Sequence, residues 1–402
     1  MNKIFWIVFF SFLLLWSSPT FQTKASDPVF EKALPGYSFS FPADHGSHPS
    51  FQTEWWYYTG HLVTEDQREY GFELTFFRFG IDRSSSLENP SRWAVKEIYM
   101  AHFAISDIHQ TEFFYGEKIS REALGKAGAK VAQLSVWIDD WRVEEKKGFH
   151  VLVANQNLWG IDLKLASDKP PVIHGEKGVS QKGKKLGEAS HYYSLTRMNI
   201  QGTLQKNGLK FPVKGTAWMD HEFSTHSMPE DLEGWDWFSI QLDNQWDLMI
   251  YQLRQKDGTP SPFSSGSLID PQGNRVPLHP QDFQIHVLDH WKSPKNQGIY
   301  PMGWNVVLPG RKIDLTIIPF FKEQELSTPE STRVTYWEGA VKIKGNWKEN
   351  PVTGRGYTEL TGYAKKTNVP KSRIWNSNQP IPTFLDGLFL MVLFGAANVP
   401  CF

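Results

Sequence analysis

Almost nowhere in this 402-residue chain do apolar residues recur with the 3.6-residue period of a helix. Segments rich in aromatic and β-branched residues instead follow one another at short, even spacing, divided by turn signals. That pattern restricts the chain to antiparallel β structure, and closed or sandwiched sheets would remove its exposed edges. Phe51–Val63 and Glu69–Phe79 predict a hairpin turning at Glu65, Asp66 and Gln67. Lys96–Asp107, Ser135–Val143, His150–Asn155 and Asn157–Ala166 read as further strands, followed by His191–Asn199 and Leu209–Trp218. Lys118–Ala129 is the one early helical candidate, and Lys169–Ala189, basic and glycine-rich, reads as a solvated loop. A second run of strands starts at Gly234 with a hairpin turning near Asp243 and Asn244, and reaches Ala364.

The length suits two ordinary domains. A faint repeat supports the division. Tyr193 and Gly202 are spaced like Tyr336 and Gly345, and Gly215–Trp218 matches Gly354–Tyr357. The expected organisation is a signal segment at 1–25, a lead-in at 26–50, β domains at 51–223 and 224–366, and a tail at 367–402. Lys3 and the apolar run Ile4–Trp16 form an export signal too short for a span, with cleavage after Ala25; an uncleaved anchor is the rival reading. Export to the periplasm or beyond would permit disulfides, but Cys401 is the only cysteine. The apolar stretch Phe384–Val399 suits packing on the protein itself, a homo-oligomer contact or a peripheral membrane contact.

The formal net charge of -1 gives no reason to expect a nucleic-acid partner. There is no phosphate-binding glycine loop, dinucleotide motif, HExxH or G-x-S-x-G elbow, and no cofactor is expected. Chemistry concentrates in Gly215–Phe238. Asp220, His221 and Glu222 follow an apolar strand, so Asp220 and Glu222 share one face and His221 takes the other. His221 suits proton transfer near neutral pH, and equally a hydrogen-bonded packing role. Asp220 and His226 could join it as metal ligands, but the spacing fits no compact ligand signature, so no metal is expected. Glu54, ahead of four aromatics, and Asp236, between Trp235 and Trp237, are candidate proton donors if burial raises their pKa. Trp55, Trp56, Tyr57, Tyr58, Trp235 and Trp237 suit the wall of an apolar pocket, or ordinary core. Seventeen Trp and 28 Phe make such a pocket plausible without locating it.

FQTEWWYYTGHL, GTAWMDHEFS, EGWDWFSIQL, and YWEGAVKIKG followed by PVTGRGYTELTGY resemble the AttH/carotenoid 1,2-hydratase superfamily from about Phe51 to Ala364. The resemblance implies an all-β fold of two lipocalin-like antiparallel β-barrels packed side by side. It also implies cofactor-independent hydration or isomerisation of an apolar, isoprenoid- or polyketide-like compound. His221 falls in the family's Asp-His-x-aromatic motif, with Phe223 where the hydratases carry Trp. Their catalytic Tyr and Asp correspond to Tyr251-Gln252-Leu253, where the acid is missing. A non-catalytic carrier of lipid or pigment, and a secreted hydrolase, are the alternatives.

Overall fold

The computed structural model describes residues 30–81, 95–225 and 228–364. The export segment, the apolar tail, Cys401 and His226 lie outside the described residues. In chain order the first half forms β1 (Thr53–Thr64), β2 (Glu69–Gly80), β3 (Glu97–Asp107), β4 (Glu112–Arg121), β5 (Ala127–Ala129), β6 (Ser135–Ile138), β7 (Trp141–Lys146), β8 (Phe149–Gln156), β9 (Trp159–Ser167), β10 (Val172–Ile173), β11 (Ser180–Gln181), β12 (Ala189–Lys206) and β13 (Leu209–Ser224). The second half forms β14 (Leu232–Leu242), β15 (Asp247–Gln255), β16 (Ser265–Ile269), β17 (Arg275–Leu278), β18 (Gln284–Val287), β19 (His290–Lys292), β20 (Ile299–Pro301), β21 (Trp304–Leu308), β22 (Ile313–Pro319), β23 (Glu325–Thr328), β24 (Val334–Trp347) and β25 (Asn350–Leu360).

Among the described residues the only helical turns are short 3-10 pieces. The expected helix at Lys118–Ala129 is instead the end of β4, a turn and β5. Leu124 and Gly125 both take positive φ, which an α-helix does not accommodate. The β1–β2 hairpin and the β14–β15 hairpin follow the sequence reading. So does the alternation in β9, where Ile161, Leu163 and Leu165 are buried while Asp162 and Lys164 are exposed.

The first sheet runs β4-β3-β2-β1-β13-β12-β9-β8-β7-β6-β5, and its end strands β4 and β5 approach each other, so it curls into a nearly closed barrel. The second runs β17-β16-β15-β14-β25-β24-β22-β21-β18 and does not close. This corrects the expectation of two lipocalin-like barrels. Closure needs the two end strands to meet around the circumference. Here β17 and β18 do not pair with one another. The separate hairpin β19–β20 covers part of this core instead, with Tyr300 buried and Trp291 packed against it.

The two sheets share one strand order. β14, β15, β25 and β24 stand where β1, β2, β13 and β12 stand in the first sheet. Asp220 lies opposite Tyr57 and Ser194; Glu359 lies opposite Trp237 and Glu338. Asp220 and Glu359 are therefore equivalent positions. A register shift in β12 between Leu195 and Met198 makes Tyr192, not Tyr193, the counterpart of Tyr336.

Each sheet has its own core, and a third aromatic-rich core joins them, including Tyr57, Tyr192, Trp218, Trp237, Tyr251 and Tyr357. Polar contacts fix the junction. Asp247 of β15 accepts from Lys169 at 2.7 Å, Thr196 at 2.8 Å and Arg197 at 3.1 Å. Lys169–Ala189 is consequently not a solvated loop. Lys169, Val172, His174 and Ser180 are buried, and His174 bridges Ser194 at 2.7 Å and Ser267 at 2.8 Å across the junction.

Candidate functional site

Strand alternation divides the ionisable residues between two places. On β1, Glu54, Trp56 and Tyr58 turn inward while Thr53, Trp55 and Tyr57 face the second sheet. On β13, His221 and Phe223 go with the inner set, and Asp220 and Glu222 with the outer. The sequence reading separated His221 from its neighbours in this way. It did not foresee that the cavity lies on the Asp220 face.

The inner cluster centres on Glu54, which is fully buried. Its carboxylate accepts from Arg78 Nε at 2.8 Å and Ser47 Oγ at 3.0 Å, and bonds His48 Nδ1 at 2.7 Å and His221 Nε2 at 2.9 Å. Burial alone would raise its pKa, but Arg78, His221 and His48 together hold it well below the usual range. Glu54 is therefore an anion and not a proton donor at neutral pH. His221 is kept neutral by burial, and its Nδ1 meets Tyr193 Oη at 3.0 Å. His48 is shifted up to about 8, because hydrogen bonds to Asp44 and Glu54 outweigh its burial. The ligand atoms of His48, Glu54 and His221 lie within 4.8 Å of one another, a spacing that suits a metal ion. They are spent on each other, however, and the buried Arg78 guanidinium on the same carboxylate opposes a dication.

The outer set lines a cavity of about 190 Å³ between the two sheets. Trp55, Tyr57, Tyr192, Trp235, Trp237 and Tyr251 form its aromatic wall. Of the residues expected to surround a pocket, Trp55, Trp235, Trp237, Tyr251 and Asp220 do so; Trp56, Tyr58, Phe223, His221, Glu54 and Asp236 do not. Asp236 points into the second sheet, where Arg254 pairs with it and Tyr363 donates at 3.0 Å. Burial nevertheless shifts its pKa upward.

Among the described residues, acids dominate the charged lining: Glu73, Asp220, Glu222 and Glu359, against the single cation Lys182. Lys182 Nζ is 3.5 Å from Glu222 and 4.0 Å from the centre of the Tyr251 ring. Asp220 is pushed up to about 7 by burial, against hydrogen bonds from Ser194, Trp218 at 2.6 Å and Tyr192 at 2.8 Å. Glu359 also reaches about 7, through burial and the nearby charges of Asp220 and Glu222, with one donor, Trp235 Nε1 at 2.9 Å. Glu73 is raised further, to about 8, chiefly by burial.

Sequence reasoning missed Glu73, Glu359, Tyr192 and Lys182. The repeat carried a signal for Glu359. Counting two residues on from the matched Trp218 and Tyr357 gives Asp220 and Glu359. Glu73 had a weaker one, as a lone acid in the strand-forming run EYGFELTFF.

The AttH-like family profile matches residues 32–363. Among solved structures, a protein assigned as an AttH from Nitrosomonas europaea is 33% identical, with a TM-score of 0.75 over 84% of this chain and 100% of that one. Kievitone hydratase from Nectria haematococca is 15% identical, with a TM-score of 0.63 over 83% of this chain and 96% of that one, a likeness of fold alone. No curated protein matches the chain.

Proposed function

For a chain that belongs to the AttH-like family, we propose a cofactor-independent enzyme that moves a proton to or from an apolar small molecule in the inter-sheet cavity. The observation that carries this reading is the pair Asp220 and Glu359, equivalent carboxyls facing one aromatic space, both shifted to about 7. Three donors on Asp220 favour its anion, while a single donor on Glu359 leaves that group the better proton holder. Two carboxyls whose surroundings divide the roles are what acid–base chemistry needs. Glu359 is the general acid toward an electron-rich carbon. Asp220 takes a proton from water in a hydration, or from carbon in an isomerisation. The aromatic faces suit a cationic transition state in either case.

The fold relative from Nectria haematococca is by name a hydratase, which supports hydration as the first reaction to test. The N-terminal segment supports export, with the reaction outside the cytoplasm.

The test is incubation with prenylated phenols and terpenoid alkenes in deuterium oxide, read by mass spectrometry. Deuterium should enter product carbon. Glu359→Gln should lower kcat by about 10²–10⁴-fold while ligand affinity changes little. Recovery of unchanged ligand from a tight complex, with no exchange, would make the protein a carrier instead.

A further inference from the structure

Glu73 projects from β2 into the cavity wall and is 1% exposed. Its Oε1 accepts from Thr75 Oγ1 at 2.5 Å, and its Oε2 has no hydrogen-bond partner among the described residues. Glu338, from the second sheet, repeats the arrangement: Tyr57 Oη donates to its Oε1 at 2.7 Å, and its Oε2 is also without a partner. Directly opposite Glu73 in the β1–β2 register, the hydroxyl of Thr59 is the third such atom. Buried polar atoms are ordinarily satisfied, so an unpartnered oxygen on the cavity-lining Glu73, with two more such atoms on the strands that contact β2, marks a place built for a group that is not protein.

The chemistry of that group follows from where the protons sit. Burial keeps both carboxyls neutral at pH 7, raising Glu73 to about 8 and Glu338 well above its ordinary value. With each Oε1 accepting from a hydroxyl, the acid proton belongs on Oε2. The orphan atoms are then donors in need of an acceptor. An ammonium or a metal ion would require the anions instead. A ligand hydroxyl would bring a further donor, whereas a carbonyl oxygen offers only lone pairs.

We propose that Glu73, backed by Glu338, is a carbonyl-recognition site, and that the cavity takes apolar molecules bearing a ketone or enone oxygen that docks on Glu73 Oε2. The inference rests on the cavity being the ligand site, as in the proposed function. It adds a substrate class, and a residue distinct from the Asp220–Glu359 pair.

Two probes of one shape separate the ideas: methyl naphthyl ketone and ethylnaphthalene, with binding measured calorimetrically and the bound carbonyl stretch by infrared difference spectroscopy. The ketone should bind about tenfold more tightly than the hydrocarbon, with its stretch lowered by hydrogen bonding. Glu73→Leu should abolish that preference and the spectral shift while leaving ethylnaphthalene affinity unchanged. Glu73→Gln, whose amide still donates, should keep most of both. With the wild-type protein, ketone affinity should fall relative to that of ethylnaphthalene as pH rises past about 8, where Glu73 ionises; the hydrocarbon controls for Asp220 and Glu359, which ionise at about 7 in the same cavity, so the ratio decides the matter even if the leucine variant fails to fold. Equal binding of the two probes without a carbonyl shift would overturn carbonyl recognition and leave the proton-transfer reading standing. Failure of the wild-type protein to bind either probe would overturn both.

Discussion

Two acidic clusters lie back to back across β1 and β13, and they have opposite electrostatic character. Glu54 is buried among Arg78, His48 and His221 and stays ionised. Glu73, Asp220 and Glu359 are buried among aromatic rings with little positive charge to offset them, and their pKa values rise toward or past neutrality. Burial is common to both. Counter-charge decides which acid can give up a proton near pH 7. A structural ion cluster and a candidate proton acceptor, Asp220, therefore occupy opposite faces of the same strands.

The largest expected effect comes from removing the counter-charge. Arg78→Met should destabilise the fold by about 3–5 kcal/mol, because it leaves the buried Glu54 anion only His48, which Asp44 shares, as counter-charge. Urea unfolding measures this, and a loss below about 1 kcal/mol would break the contrast. A role exchange comes next. His221→Gln should lower stability but leave kcat of the folded protein within about threefold, the reverse of Glu359→Gln, since His221 does not line the cavity. Matching kinetic losses in the two variants would join the clusters into one machine.

The dependence of stability on pH sharpens the comparison further. The cavity acids have raised folded pKa values, so between about pH 5 and pH 8 these three sites bind more protons in the folded state than in the unfolded chain, and their contribution to stability falls as pH rises. Glu54 is depressed, so its contribution is present above the unfolded value and lost only as pH falls through its lower folded value. Replacing Glu73, Asp220 and Glu359 by their amides should remove the cavity acids' contribution from the upper window and leave the acid limb unchanged in a thermal-melt series. The smallest effect expected is about 1 kcal/mol from Tyr57→Phe, which removes the donor to Glu338, read in the same melts.

Much of this architecture is local and was legible. The β1–β2 turn, the β14–β15 hairpin and the opposed faces of Asp220 and His221 follow from period-two patterning alone. Whether a sheet closes is not local. It depends on whether the end strands of a sheet meet, as β4 and β5 do and β17 and β18 do not, and the short alternating segments of both halves read alike. The cavity face of β1 was equally hidden, because Glu54 and Trp55, on opposite faces, are both covered and alternation gives no polarity to read. The basic loop was misread for a similar reason: Lys169 finds Asp247 across 78 residues of sequence, a pairing that composition does not encode.

The extra residue in β12 has a consequence for how the two halves diverged. From Ala189 to Leu195 it sets which side chains look outward, so Tyr192 reaches the shared cavity and Tyr193 reaches His45 and His221 in the interior. Excising one residue between Leu195 and Met198 would turn that segment over and present Tyr193 and His191 to the ligand in place of Tyr192. A single extra residue thus gives two sheets of one strand order differently faced inner walls.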